Sequence, residues 1–295
     1  MAGMSCLVNL WEKLMIKPIL VFQTDFTYRE GAVCAMYGVV KNVDRELEII
    51  DGTHLIPQYD TWSASFRLYQ YMKFWPKGTI FVSVVDPGVG TSRKACVART
   101  ADGYYVVSPD NGSLTHIKNQ PGIIEIREID ETINRLRDQG TEGTSVFHGR
   151  DLFSYCAAKL ASGLISYEQV GPAYPIEDII EHQISKPSVQ GSKICGTLEI
   201  VDPNFGNVWT DIPLTLFEKV GFKYDEHLNV TINYQGEIAF KQKMLFAKSF
   251  GFAQKGEAMI YNNELMNIAL AISQGNFKEI YNIGFGIEWT IAFEK

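Results

Sequence analysis

The sequence predicts an α/β protein. It expects an N-terminal domain on a largely parallel central sheet and a smaller, mainly-β, barrel-like C-terminal domain. Three observations predict this. Short apolar, β-branched runs alternate with helical patterns through the first 180 or so residues. Turn clusters of Asp, Pro, Asn and Gly close those runs. Beyond the polar stretch 181–192 the helical periodicity gives way to short strands. The expected organisation is therefore an N-terminal extension (1–17), an α/β domain (18–185) and a β domain (192–295).

In order, residues 18–24 read as a strand that stops at Thr24-Asp25-Phe26. A helical pattern follows from about Gly31 to Lys41, then a short strand at 47–51. His54 to Tyr59 is a loop. Thr61 to Phe74 is a helix with aromatic residues along it, ended by the breakers Trp75-Pro76-Lys77-Gly78. The strand 79–85 runs into Asp86-Pro87-Gly88-Val89-Gly90, which must turn. Strands at 95–99 and 103–107 are joined by Asp102-Gly103, a hairpin signal. A second turn, Ser108 to Gly112, precedes a strand at 122–129. Gly149 precedes an amphipathic helix from Asp151 to Leu160, so His148 falls at a helix N-terminus, where the dipole disfavours imidazolium. In the second half, strands are expected at 193–201, 228–234, 237–242 and 257–261, and in pieces over 280–293.

A chain of 295 residues with 46% hydrophobic and 21% charged residues can bury its own core. A formal charge of −7 argues against a general binder of phosphate backbones, whose affinity comes from Lys and Arg. Cys6, Cys34, Cys96, Cys156 and Cys195 are scattered and form no CxxC pair. That pattern fits small core residues in a reducing, cytoplasmic setting, with no zinc site and no metal. No apolar run approaches the ~20 residues of a spanning helix. Walker, GxGxxG, HExxH and GxSxG signatures are absent.

In parallel sheets, ligands gather at the carboxyl ends of strands. Asp25, Asp86 and Asp110 each follow a predicted strand, so the three could share one rim. Arg93 lies seven residues after Asp86 across a tight loop. Taken singly, these are ordinary turn and surface residues, and His148 alone would pass for a structural histidine.

The ordered set TDF (24–26), DGTH (51–54), DPGVGTSR (86–93), SPDNG (108–112), FHGRD (147–151) and VDPNFGN (201–207) is more specific. Together these motifs resemble the S-adenosyl-L-methionine (SAM) hydroxide adenosyltransferases, or SAM hydrolases, relatives of the fluorinase and chlorinase. The resemblance spans residues 18 to about 290. It implies a two-domain homotrimer that binds SAM between domains of neighbouring subunits, with SAM as substrate and no cofactor. The implied reaction is displacement of methionine at ribose C5′. The hydrolases' Asp–Arg–His set falls on Asp86, Arg93 and His148. The halogenases place a Tyr where Asp86 stands, and the fluorinase a Ser where Gly149 stands, so water is favoured over halide.

The residue types suit that chemistry. A sulfonium leaves readily without an acid, so the scarce component is an oriented nucleophile. Asp86 and His148 are expected to orient and deprotonate water, and Arg93 to steady the carboxylate and a nascent hydroxide. The resemblance also implies that Asp25 accepts from the ribose hydroxyls, Asp202 holds the methionine amine and Asn207 reads adenine. Trp209 and Phe250 would pack on the base. Near the C-terminus the fluorinase's Ser-Arg-Gly stretch is replaced by Tyr261-Asn-Asn-Glu264, so Asn263 is the candidate for the methionine carboxylate. In WTDI (209–212) an Asp replaces the halogenases' Asn. Arg150 is expected to pair with Asp151. The alternatives are a non-catalytic SAM- or adenosine-binding protein, and a SAM-dependent halogenase.

Overall fold

The computed structural model describes residues 17–137, 140 and 143–295. The expected extension lies outside the described residues, apart from Lys17, which pairs with Asp44 and Glu46. By contacts the chain divides into two compact units, Met1–His182 and Gln183–Lys295.

The first unit carries a six-stranded sheet. Its strands are β1 (Leu20–Thr24), β2 (Ile49–Thr53), β3 (Ile80–Val84), β4 (Ala95–Thr100), β5 (Tyr105–Pro109) and β6 (Ile123–Glu128), in the order β2-β1-β3-β5-β4-β6. Pairing is parallel except along β4, which runs antiparallel to both β5 and β6. The central strands β1 and β3 are buried along their whole length, as near-continuous apolar runs in a doubly covered sheet should be. Alternate residues feed the two faces. Leu20, Phe22, Ile80 and Val82 pack with Met36 and Val40 of α1 (Ala32–Val43), with Ala157 of α3 (Tyr155–Ala161) and with Phe153 just before it. Val21, Phe81, Ala98 and Val106 pack with Leu68 and Met72 of α2 (Thr61–Met72). Asp60 caps α2 by accepting from the Ser63 N–H at 2.9 Å.

The second unit closes a barrel. Strand β8 (Lys193–Val201) pairs with β9 (Val208–Pro213) and with β14 (Gly286–Glu294). Around the ring stand β10 (His227–Tyr234), β11 (Glu237–Phe246), β12 (Ala258–Asn262) and β13 (Asn267–Ile272), completing seven strands. Closure leaves no free edge in the ring. Its interior is apolar, with Ile194, Leu198, Val230, Ile260, Leu270 and Phe293 among the buried residues. Helices α4 (Leu214–Val220) and α5 (Phe277–Tyr281) lie in the connections; Asn276 caps α5 by accepting from the Glu279 N–H at 2.9 Å.

Several elements differ from expectation, among them the unanticipated helices α4 and α5. The helix expected over 151–160 is not one α-helix: a π-turn, Gly149–Ser154, precedes α3. The polar stretch 181–192 contains β7 (Ser188–Gln190), which pairs with β8. Strands β9 and β13 were not anticipated; β9 carries Thr210 and Asp211 at its centre, and the two strands pair with each other and with their chain neighbours β8 and β12. Among the described residues no helix is long and apolar enough to cross a membrane.

Candidate active site

Strands β1 and β3 are neighbours, and Thr24 pairs with Val84. Asp25 and Asp86 therefore emerge next to each other at the carboxyl edge of the sheet. The backbone turns at once after Asp86: the Val89 N–H donates to the Asp86 carbonyl at 3.3 Å and the Thr91 N–H to the Gly88 carbonyl at 3.1 Å. Gly90 takes φ +76°, a left-handed backbone that favours glycine. The turn folds Arg93 back onto Asp86. Arg93 Nε donates to Asp86 Oδ1 at 2.8 Å and Nη2 to Asp86 Oδ2, a bidentate pair. Both side chains are nearly buried, at 8% and 5% exposure. The guanidinium lies over the Phe153 ring, 5.2 Å from its centroid.

The same Nη2 is 3.0 Å from Nδ1 of His148, which sits immediately before the π-turn. The sequence-predicted Asp86, Arg93 and His148 are thus one hydrogen-bonded chain. A guanidinium only donates, so Nδ1 of His148 must accept. Burial, and then the Arg93 charge, push the His148 pKa down. The ring is therefore neutral near pH 7, with its proton on Nε2. That atom is buried and has no partner.

Asp25 shows the same pattern. Its Oδ2 accepts the Tyr59 N–H at 2.9 Å, while Oδ1 is buried without a partner. Burial raises its pKa and the nearby Asp86 charge raises it further, against the Tyr59 hydrogen bond. Phe26 meets Phe147 edge-on at 5.8 Å, and Gly149 lies between the two rings, with 3.1 Å left for a Cβ on either side. Arg150 pairs with Asp151 as expected.

Asp110 does not join this group. Its Oδ1 accepts the Ile180 N–H and its Oδ2 the Tyr174 hydroxyl, each at 2.9 Å. It is a structural acceptor that anchors the segment approaching residue 182, so the rim group holds two carboxylates rather than three.

The second unit has its own pocket, a cavity of about 950 Å³. Asp202, Asn207, Trp209, Phe250 and Asn263 all line it. The loop after β8 is held by Asp202, whose Oδ1 accepts the Asn204 and Phe205 N–H groups at 2.8 and 3.1 Å. Gly206 takes φ +66°, and a Cβ there would collide with Asn276. Trp209 donates from Nε1 to the Tyr261 hydroxyl at 3.2 Å, and the Phe250 ring lies 4.9 Å from that of Tyr261. Asn263 Oδ1 accepts from Leu265 N–H and Asn267 N–H at 2.9 and 3.0 Å, leaving its Nδ2 buried and unpartnered. Sequence reasoning missed Tyr261, which joins the two aromatic residues, and Lys248, the pocket's cation. Tyr261 closes the apolar run of β12, the signal that could have flagged it, whereas nothing local marks Lys248. Among the described residues no group of three or more His, Cys, Asp or Glu is placed to hold a metal ion.

Both halves of the chain match known family models. Residues 20–171 match the SAM hydroxide adenosyltransferase N-terminal domain, and residues 196–290 the C-terminal domain. An (R)-S-adenosyl-L-methionine hydrolase of Methanocaldococcus jannaschii is 28% identical, over 94% of this chain and 97% of its own. A fluorinase of an Actinoplanes species is 26% identical, over 93% and 97%. The crystal structure of an uncharacterized conserved protein from Thermotoga maritima superposes with a TM-score of 0.84 at 32% identity, covering 94% of this chain and all of that one. With both domains matched in order over most of its length, the chain belongs to the SAM hydroxide adenosyltransferase family.

Proposed function

We propose that this chain hydrolyses SAM to adenosine and L-methionine by attack of water or hydroxide at ribose C5′. The observation that carries the reading is the Asp86–Arg93–His148 chain with the partnerless Nε2 of His148 at its end. Relatives named as hydrolases and as fluorinases are similarly distant, so this site, rather than overall similarity, supports water as the nucleophile.

The proton inventory assigns roles. Nδ1 of His148 is engaged by Arg93, so the neutral ring presents Nε2–H and donates to the nucleophilic oxygen. This refines the expectation that His148 deprotonates water: it orients the oxygen and stabilises its negative character. Asp86 keeps a second lone pair on each oxygen and takes the proton. Arg93 holds the carboxylate in place and spreads positive charge toward the oxygen. The C5′–O bond forms as the C5′–S bond breaks, and the electron pair leaves with the methionine sulfur. No acid is needed at the leaving group.

Two binding roles follow polar atoms that lack partners, Asp25 Oδ1 and Asn263 Nδ2; those of Asp202 and Asn207 follow the family resemblance. Asp25 Oδ1 accepts from the ribose hydroxyls. Asn207 reads the base against Trp209 and Phe250. Asp202 takes the ammonium, and Asn263 Nδ2 donates to the carboxylate. The proposal includes the homotrimer with interfacial sites that the family resemblance implies, and a cytoplasmic setting. Light scattering should return about three times the 33.2 kDa chain mass. The test of the reaction is product analysis: SAM should yield adenosine and methionine without halide. Tight SAM binding with no product would favour the non-catalytic binding protein, and a halogenated nucleoside the halogenase.

A further inference from the structure

One polar network in the N-terminal unit, buried at its centre and open to solvent at Asp51 and Tyr28, has no part in the chemistry above. His54, 1% exposed, stands at its centre. Its carbonyl accepts the Thr27 N–H at 2.8 Å. Its Nδ1 is 2.8 Å from Thr24 Oγ1. Its Nε2 is 2.9 Å from the Tyr37 hydroxyl and 3.2 Å from Asp51 Oδ1. Tyr28 covers the group, with its ring edge-on to His54 at 5.0 Å and its hydroxyl 2.5 Å from Asp51 Oδ2. Tyr37 also donates to Asp51 Oδ1.

Counting protons fixes the direction of these bonds. Asp51 only accepts, and both tyrosines spend their hydroxyl protons on it. Nε2 of His54 is therefore the donor, and Nδ1 of the neutral ring is bare. Nδ1 accepts the Thr24 hydroxyl proton, and the Thr24 oxygen accepts the Phe26 N–H at 3.1 Å. The relay reads Asp51, His54, Thr24, Phe26 amide. Burial lowers the His54 pKa against the pull of Asp51, in keeping with a neutral ring.

What the relay fixes is the segment on either side of Asp25. Thr24 is held by its side chain, and its carbonyl accepts the Ile56 N–H at 3.3 Å. Phe26 is held by its amide. Thr27 sits at φ +59°, an uncommon backbone for a branched residue, and its N–H is tied to His54. A segment pinned this densely leaves the Asp25 carboxylate little freedom, with Oδ2 on the Tyr59 N–H and Oδ1 unspent.

We propose that His54 is a positioning residue: through Thr24, the Asp51–His54 pair sets the pose of Asp25 so that its free oxygen is ready for the substrate's vicinal hydroxyls. The inference rests on the reading of Asp25 as the ribose acceptor. His54 itself touches no substrate and moves no proton during the reaction.

The test compares His54→Ala, Thr24→Val and His54→Asn, measuring KM and kcat for SAM, melting temperature, and amide hydrogen exchange at Tyr59. A ribose contact made equally in ground and transition states acts on KM alone. His54→Ala and Thr24→Val should each raise KM by about tenfold, with kcat changed by less than about threefold. His54→Asn, whose Oδ1 can take the place of Nδ1, should recover most of the loss. A merely structural histidine would lower the melting temperature of His54→Ala and leave KM as it was, and that result overturns the proposal. Should the wild type bind neither SAM nor adenosine, the reading of the site fails on its own. The relay is then judged by exchange at Tyr59: faster exchange in both His54→Ala and Thr24→Val supports it, and unchanged protection overturns it.

Discussion

The polar chain at the edge of the N-terminal sheet and the pocket of the C-terminal barrel solve opposite problems. In the first, nearly every hydrogen-bonding group is spent internally: both Asp86 oxygens on Arg93, and Nδ1 of His148 on the same guanidinium. One buried donor is left over. In the second, aromatic walls surround a large open volume, and Asp202, Asn207 and Asn263 stand in it on short, backbone-anchored loops. A site that is internally satisfied pays for its order during folding and holds charge in one geometry, which serves a reacting atom. An open, aromatic, sparsely polar pocket serves recognition, where area and a few directional contacts decide affinity. The difference teaches that the two regions should fail differently when altered, the first in kcat and the second in KM.

The largest effect should come from the first region. Asp86→Asn keeps the shape but removes the carboxylate proposed to take the proton, and His148→Ala removes the proposed donor. Each should lower kcat by about 10²–10⁴-fold with SAM affinity little changed. A change confined to KM would dissolve the distinction. In the second region, Phe250→Ala removes an aromatic wall that is partly exposed and not needed for the barrel core. Stacking on a base is worth about 1–3 kcal/mol, so KM should rise roughly 5- to 160-fold while kcat holds.

Asp211 sharpens the comparison from the side of stability. Burial pushes its pKa up to about 6, and the neighbouring Glu199 charge adds to the effect. With a folded pKa above the unfolded one, its contribution to stability is fully present below the usual carboxylate range and is lost as pH rises through about 6. Asp211→Asn should therefore stabilise the protein at pH 8, by about 1.5 kcal/mol after allowance for solvent screening. It should do almost nothing at pH 4. Melting temperatures at the two pH values check this, and equal shifts would contradict it.

The smallest effect belongs to Asp25, whose pKa is raised by burial and by Asp86. On acidification it gains its proton at a higher pH than an ordinary carboxylate, and in the proposed binding mode the ribose loses a charged acceptor. KM should climb about fivefold through that range, and Asp25→Asn should flatten the climb. An identical pH profile in the variant would remove Asp25 from the binding step.

Much of this was legible in the sequence where cause and effect are local. Apolar runs gave the buried strands β1 and β3, and the Asp-Pro-Gly turn with Arg93 seven residues on gave the rim pair. The rest depended on partners far along the chain. Asp110 looked like a third rim carboxylate because Tyr174 and Ile180, which consume it, lie 64 and 70 residues away. Strand β7 was hidden because it is exposed throughout and carries no apolar pattern. Strand β13, with Ala269 and Ala271 between Ile and Leu residues, has no strong β signal until β9 and β12 flank it. The π-turn after His148 has no sequence signature, because i→i+5 bonding looks like any helix start. Neither the directions of the histidine protons nor the unpartnered atoms of Asp25, His148 and Asn263 can be read without coordinates.

The most direct test of the central claim is to incubate the protein with SAM in oxygen-18 water, with and without chloride, and to weigh the nucleoside product. Attack at C5′ predicts adenosine carrying one heavy oxygen in its 5′ hydroxyl, at a rate indifferent to chloride. Unlabelled adenosine, a chlorinated nucleoside, or no product from enzyme saturated with SAM would contradict it.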